Sequence, residues 1–585
     1  MSTDHFDLLI TGGELIDGTG TTAYSSDVGI RDDAIIAIGD LSRATADRTI
    51  DATDRIVCPG FIDPHTHYDA QILWDPAVTP STLHGVTTVV MGNCGFSIAP
   101  LGNEADATYI REMLTKVEGM SLESLMEGAD WSWRSFPDYL ARVNARTAVN
   151  VCAMVGHSAV RRTVMGDAAI GATASPEQVE QMATLVREAI EAGAIGFSTT
   201  QSFTHSDLAG EPVPSRWAER DELIALAAVC REYEGTSLEW VTDGCLNGFT
   251  NEEVSLMAAV SAAADRPLNW NVLTIDSARP DDYREQLAAS DQAAANGGRI
   301  VALTMPVLVG MNMSFGSYCA LHQLPGWKAV LGLPIDERME RLRDPVVREL
   351  LAGAAAADAS VFSRLTGWER YRIGDTYSAA NDGLKDRLIG DLAAERGTSP
   401  FDTLLDVVLA DDLRTVLWPG PTDDDDASWQ LRRDAWDHPD VMIGGSDAGA
   451  HLDRMAGASY TTEWLDDVLH GQKLTTLPNA IRHLTQVPAQ FYGLHDRGAI
   501  AVGKRADVVV FNPATVASEP VSMQYDLPGG AGRLFSNAIG IDAVVVNGET
   551  IISDGEVTGT NPGRVLRSGT DTIGTSVSAH RSGGN

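Results

Sequence analysis

Valine- and isoleucine-rich runs recur along the chain and set its plan. Near the start they are short and cut by tight turns. Asp7–Thr11 precedes Gly12-Gly13, Glu14–Ile16 precedes Asp17-Gly18, and Val28–Ile30 and Ala34–Ile38 flank Asp32-Asp33. Alternating apolar positions with Gly and Asp turns predict a small β region over residues 1–58. The far end repeats the texture. Ala506–Asn512 reads ADVVVFN and Ile541–Gly548 reads IDAVVVNG, which predicts a second β piece over 498–567. Neither piece alone can cover both faces of a sheet, so the two termini are expected to build one β-sandwich.

Between them, strand-like and helix-like segments alternate. Eight candidate strands stand out: Ile56–Ile62, Thr87–Gly92, Val149–Val155, Ala194–Thr199, Ser237–Thr242, Leu268–Thr274, Ile300–Met305 and Val441–Gly445. Several are continuous apolar runs, as parallel strands buried on both faces require. Helical periodicity separates some of them, over Pro176–Ala192 and Asp221–Tyr233. The pattern predicts an α/β fold, a TIM (β/α)8 barrel over 59–497. Met305 to Val441 is too long for an ordinary connection. Helical stretches at Ile335–Ala357 and Pro400–Leu409 and an acidic run at Asp423–Asp426 predict a helical insertion between strands seven and eight. It spans about 310–438 and is expected over the barrel mouth. Ser568–Asn585 is rich in Ser, Thr and Gly and is expected to be a disordered tail.

Composition narrows the classes. With 44% hydrophobic and 21% charged residues over 585 positions, the chain is neither fibrous nor disordered. Its net charge of −38 repels phosphate backbones, so no nucleic-acid partner is expected. The six cysteines form no CxxC pair, which points to a reducing compartment. The opening MSTDHFDLLITGG lacks the basic and long apolar regions of a signal peptide. No apolar run reaches the ~18 residues of a membrane span, so a cytoplasmic protein is expected.

The chemistry gathers at strand ends. PGFIDPHTHYD, residues 59–69, closes the first barrel strand. His65 and His67 alternate there, so both imidazoles project to one side. Ligands sit at the carboxyl end of barrel strands, and two histidines on one side make half a metal site. An HxH also arises as two polar residues capping a strand; its place after the first strand favours the metal. Cys94, in GVTTVVMGNCG, ends the second strand. Its thiolate suits zinc, although a lone cysteine is more often a small buried apolar residue. Asp447, in MIGGSDAGAH, follows the last strand. A carboxylate there can bind a metal and take a proton from attacking water; a turn or cap aspartate is the bland alternative.

Other polar residues share that end. His157 ends the third strand and His451 lies four residues after Asp447, so both are candidates for substrate contact, weighed against a satisfied structural role. His483 and His495 lie away from strand ends and read as structural. Arg161, Arg162 and Arg454 follow strands three and eight, where a guanidinium could grip a substrate carboxylate; surface pairing is the alternative.

Taken together, these segments resemble the amidohydrolase superfamily, and within it the D-aminoacylase (N-acyl-D-amino-acid deacylase) group. DLLITGGELIDGTG and PGFIDPHTHYD resemble that group's opening, and GNCG its second strand end, where cysteine replaces the carboxylated lysine of many relatives. LTQVPAQFYGLHDRGAIAVGKRADVVVFNP, VVVNGE and NPGRVLRSG resemble its close. The resemblance implies a metal-dependent TIM barrel with a β-sandwich from both termini, in which zinc activates a water that attacks an amide carbon. It implies His65, His67, Cys94 and Asp447 as metal ligands, with Asp447 also the catalytic aspartate. The group places one histidine on the fifth strand and one on the sixth. Here those strands read GTSLEWVTDG and PLNWNVLTID and offer Glu239, Trp240, Asp243, Asn269 and Asn271. Glu239 is therefore the candidate substitute ligand, and one zinc per chain is expected rather than two.

The expected activity is deacylation of an N-acyl amino acid, of the D series by resemblance. Hydrolysis of another bond on the same fold (cyclic imide, lactone or carbamate) stays open, as does a catalytically reduced barrel that binds a small ligand. A small-molecule substrate is the expected partner, and a homo-oligomer is compatible with this reading.

Overall fold

Gly60 divides the first long apolar run between two sheets. The sequence reads as one strand over Ile56–Ile62, but Ile56–Pro59 and Phe61–Asp63 are separate strands in different sheets. A Cβ at Gly60 would lie 2.1 Å from the Thr87 hydroxyl, so only glycine lets the chain pass there. The computed structural model describes residues 5–578.

Eight parallel strands follow in chain order: β1 (Phe61–Asp63), β2 (Val86–Met91), β3 (Asn150–Ala153, continued by Val155–Gly156), β4 (Gly196–Thr200), β5 (Ser237–Val241), β6 (Leu268–Trp270), β7 (Ile300–Thr304) and β8 (Val441–Ile443). Each pairs with the next, from β1 with β2 to β7 with β8. Beyond β8, Ala448 bridges back in parallel to Thr66, just past β1. This is the strand order of an α/β fold of TIM-barrel type. Ile62, Val90, Cys152, Met154, Val301, Leu303 and Met442 share one apolar cluster, which explains why these runs carry no polar alternation. β6 stops at Trp270, shorter than its apolar run predicts. The helix Pro176–Ala192 starts on a Ser175 capping box with Pro at its first position and ends before Gly193.

The two ends of the chain pair with each other. Val508–Phe511 lies between Ile56–Pro59 and Ile541–Val546, antiparallel to both. A second sheet runs Ala34–Gly39, Asp27–Arg31, His5–Thr11, Thr45–Asp51. Leu8, Ile10, Val28 and Ile30 from this sheet and Val57, Val508, Val510 and Val545 from the other bury in one cluster.

Residues 276–279 and 308–429 form a second unit, against the expected 310–438. Its core includes Phe315, Trp327, Leu342, Leu404 and Val408, with Trp368 stacked on Trp327 at 5.7 Å. The single helix expected over Ile335–Ala357 is two, Ile335–Arg343 and Pro345–Ala357. Pro345 cannot continue a helix but opens one well, and Asp344 caps it through the Val346 N–H at 2.9 Å. The disordered tail expected from Ser568 is corrected over 568–578. There, Thr572 donates its hydroxyl to the Gly235 carbonyl at 2.6 Å, and Asp265 accepts hydrogen bonds from Ser576 and Ser578. The remainder of that expectation lies outside the described residues. No described helix is long and apolar enough to cross a membrane.

Candidate active site

The turns after β1, β2 and β8 converge, and backbone bonds lock them together. Asp63, the last residue of β1, is buried and accepts the His65 N–H at 3.3 Å and the Ser446 hydroxyl. Asp447 N–H donates to the His65 carbonyl at 3.2 Å, and His67 N–H to the Ala448 carbonyl at 2.7 Å. Gly449 has φ +90°, and a Cβ there would lie 2.5 Å from the His67 carbonyl, so glycine is required for this contact. Cys94 itself holds φ +53° in the turn after β2, and its N–H donates to Glu239 Oε2 at 2.7 Å.

The side chains meet in a small volume. His65 Nε2 lies 3.5 Å from Cys94 Sγ and 3.6 Å from Asp447 Oδ1, and His67 Nε2 lies 3.0 Å from that same oxygen. Donor atoms of His65, His67 and Cys94 all fall within 4.8 Å of one another, and all three residues are buried. Asp447 is more open, with 29% of its side chain accessible. Two imidazoles and a thiol at this spacing suit a zinc-type ion, and the Asp447 carboxylate adjoins both imidazoles. Glu239, on β5, stands behind His65, its Oε1 3.9 Å from the otherwise unbonded, buried Nδ1. Asn271 donates to Cys94 Sγ at 3.8 Å.

The electrostatics follow from burial and proximity. Burial pushes the Asp447 carboxyl up, but the His65 and His67 imidazoles outweigh it and hold the group well below the usual carboxylate range. Burial depresses His67, yet the Glu118 and Asp447 carboxylates drive it up to about 10. Burial, reinforced by Glu239, raises the Cys94 thiol well above its ordinary value, and burial lifts Glu239 to about 7. A divalent cation among these donors would favour the anionic forms of both.

The remaining candidates divide. His451 is at the site, its Nε2 3.4 Å from Asp447 Oδ2 and 27% of its side chain accessible. Arg454 is buried, its guanidinium against the Gly119 backbone and its Nε 3.2 Å from Asp453. His157 and Arg161 are corrected. His157 is fully buried, one ring nitrogen 2.9 Å from the Thr199 hydroxyl and the other 2.9 Å from Glu222. Arg161 donates to Glu222 at 2.9 Å and to the Ala172 carbonyl at 2.7 Å. Both lie on the helix His157–Met165 that follows β3, but their polar atoms are consumed by the protein. Arg162 is likewise held by Asp106 at 3.0 Å.

Two residues at the site escape the sequence patterns. Glu118 places Oε1 3.4 Å from His67 Nδ1. His205, beyond β4, bonds the Thr200 hydroxyl at 2.7 Å and meets Phe96 edge-on at 4.9 Å. Burial, then the charges of His451 and His67, depress it to about 3. Neither belongs to an apolar run, so periodicity gives no signal for them.

Comparison with known proteins adds independent findings. A family model described as the amidohydrolase family matches residues 48–552. The D-aminoacylase of Alcaligenes xylosoxydans xylosoxydans is 30% identical over 574 residues, covering 96% of this chain and 97% of that protein. A D-aminoacylase structure, described by its binuclear metal centre with one-metal activation and second-metal attenuation, superposes with TM-score 0.62 at 27% identity, covering 96% of this chain and 100% of that one. The N-acyl-D-glutamate deacylase of Bordetella bronchiseptica, complexed with zinc and a phosphonate mimic of the tetrahedral intermediate, gives TM-score 0.62 at 25% identity over the same shares.

Proposed function

Because the chain belongs to the amidohydrolase family, we propose that it is a metal-dependent hydrolase that deacylates N-acyl amino acids. The observation that carries this is one accessible carboxylate, Asp447, within 3.6 Å of two buried histidines that alternate at the end of β1. His65 and His67 would hold the metal through Nε2, with Asp447 and Cys94 completing the set. When bound, a divalent metal supplies a nucleophilic water at neutral pH and polarises the scissile carbonyl. Asp447 takes a proton from the attacking water. The water oxygen bonds the acyl carbon, the C–N bond breaks, and Asp447 passes the proton to the departing amine. His451 flanks Asp447, its Nε2 3.4 Å from Oδ2, and is the candidate for substrate contact. Arg454 would be the cation for the substrate carboxylate, a role that rests on its place after β8.

The D series follows from likeness to D-aminoacylase and N-acyl-D-glutamate deacylase. Purified, metal-loaded protein should release amine from N-acyl-D-amino acids faster than from their L forms. Hydrolysis of a cyclic imide, lactone or carbamate without amine release from any N-acyl amino acid would replace this reading.

One metal per chain is the matching stoichiometry. β5 and β6 present Glu239, Asn269 and, just beyond, Asn271 rather than histidines, and Glu239 is engaged by the Cys94 N–H. Elemental analysis of protein purified without chelator should find about one zinc-class ion per chain. Less than ~0.2 per chain with activity intact would sink the metal centre, and about two would restore a binuclear one.

The same reading carries a closed eight-stranded barrel, a sandwich shared by residues 1–58 and 498–567, and a cytoplasmic location. A homo-oligomer is compatible with it.

A further inference from the structure

The helix Glu104–Val117 ends at Glu118, which is 3% exposed. A carboxylate is unfavourable there twice over, because it is buried and because it sits at the negative end of a helix. Three contacts account for its position. Its N–H closes the helix onto the Leu114 carbonyl at 3.0 Å. Its carbonyl accepts the His451 N–H, in the turn that also carries Asp447. Its carboxylate faces His67 Nδ1 at 3.4 Å, while His67 Nε2 faces Asp447 Oδ1 at 3.0 Å.

We propose that Glu118 is the positioning residue of this centre. Resting on the metal centre proposed above, it holds His67 as the Nδ1–H tautomer and thereby presents Nε2 to the ion. An imidazole that donates one N–H to a carboxylate has its ring plane and tautomer set, and its other nitrogen becomes a better donor. Through its carbonyl, Glu118 also restrains the turn bearing Asp447 and His451. One residue between β2 and β3 thus couples the ligand arms of β1 and β8. The carboxylate behind His65 stands farther off, with Glu239 3.9 Å from its Nδ1.

The test uses full-length protein and two variants. Glu118→Leu keeps the volume and removes the acceptor; Glu118→Gln keeps an oxygen for Nδ1–H. Parent and variants are stripped, their melting temperatures compared without metal, and then titrated with zinc against a chelating dye and with cobalt(II) by visible absorption. If the parent takes up neither ion, the metal reading itself falls, which separates that failure from failure of this proposal. With a competent parent, Glu118→Leu should weaken zinc binding about 10–100-fold and shift the cobalt bands, with Glu118→Gln restoring most of both. A merely structural glutamate would lower the melting temperature and leave the affinity of the folded fraction unchanged, and that result overturns the proposal. So does an equal loss in both variants. Should Glu118→Leu not fold, a crystal structure of the zinc-loaded parent decides. Zinc on His67 Nε2 with Glu118 hydrogen-bonded to Nδ1 supports the assignment, whereas zinc on Nδ1, or Glu118 as a ligand, refutes it.

Discussion

Asp447→Asn should abolish turnover while leaving the fold intact. Asparagine matches the size of aspartate and can keep a hydrogen bond to one imidazole, but it cannot accept a proton from the attacking water. Loss of a general base typically costs ~10²–10⁴-fold, and kcat should fall by at least that range. Asp447 lies 3.0 Å and 3.6 Å from the two histidines, so metal occupancy must be measured beside the rate. The backbone donors that hold its turn, Asp447 N–H to His65 and His67 N–H to Ala448, survive the substitution. Thermal melting should fall, by the loss of the carboxylate's contacts with the two imidazoles, without loss of the fold. Asp466→Asn removes an exposed carboxylate paired with His470 and serves as the control, with rates close to the parent's. A fully loaded Asp447→Asn variant with kcat within about threefold of the parent would transfer the proton role elsewhere, first to Glu239.

Removing residues 498–585 should give insoluble protein. The strand Val508–Phe511 is the central rung between Ile56–Pro59 and Ile541–Val546, so its loss leaves Ile56–Pro59 with an open edge. Val508, Val509, Val510, Phe511, Val544, Val545 and Val546 are all completely buried. Burying a side chain of this kind stabilises a fold by ~1.5–3 kcal/mol. Losing seven of them, about 10–21 kcal/mol in all, is as large as the ~5–15 kcal/mol that holds a typical domain together. Leu8, Ile10, Val28 and Ile30, which share that core, would face water. A soluble, monodisperse truncation as heat-resistant as the whole chain would show that the N-terminal strands stand alone.

Much of this was readable from local pattern. The alternation of His65 and His67, placed after an apolar run, needed only the two-residue period of a strand. Cys94 and Asp447 were legible because each follows a run too apolar to be anything but a buried strand. The valine-rich segments at the two ends announced β structure, and their pairing followed because neither could cover a sheet alone.

Other features are decided only when distant segments meet. Ile56–Ile62 reads as one strand because periodicity reports burial, not which sheet does the burying; the close passage of Gly60 over Thr87 splits it. His157 and Arg161 lie on the helix that follows β3, yet Glu222, far along the chain, claims both. Glu118 lies in a segment with no distinguishing pattern and reaches His67 only because its helix ends beside the turn after β8. Sequence spacing determines which side of a strand a residue occupies and at which end, since both follow from the backbone repeat. Which groups it finds there depends on long-range packing, and so the strand-end placement of His65, His67, Cys94 and Asp447 was legible from the chain while their partners were set by the tertiary structure.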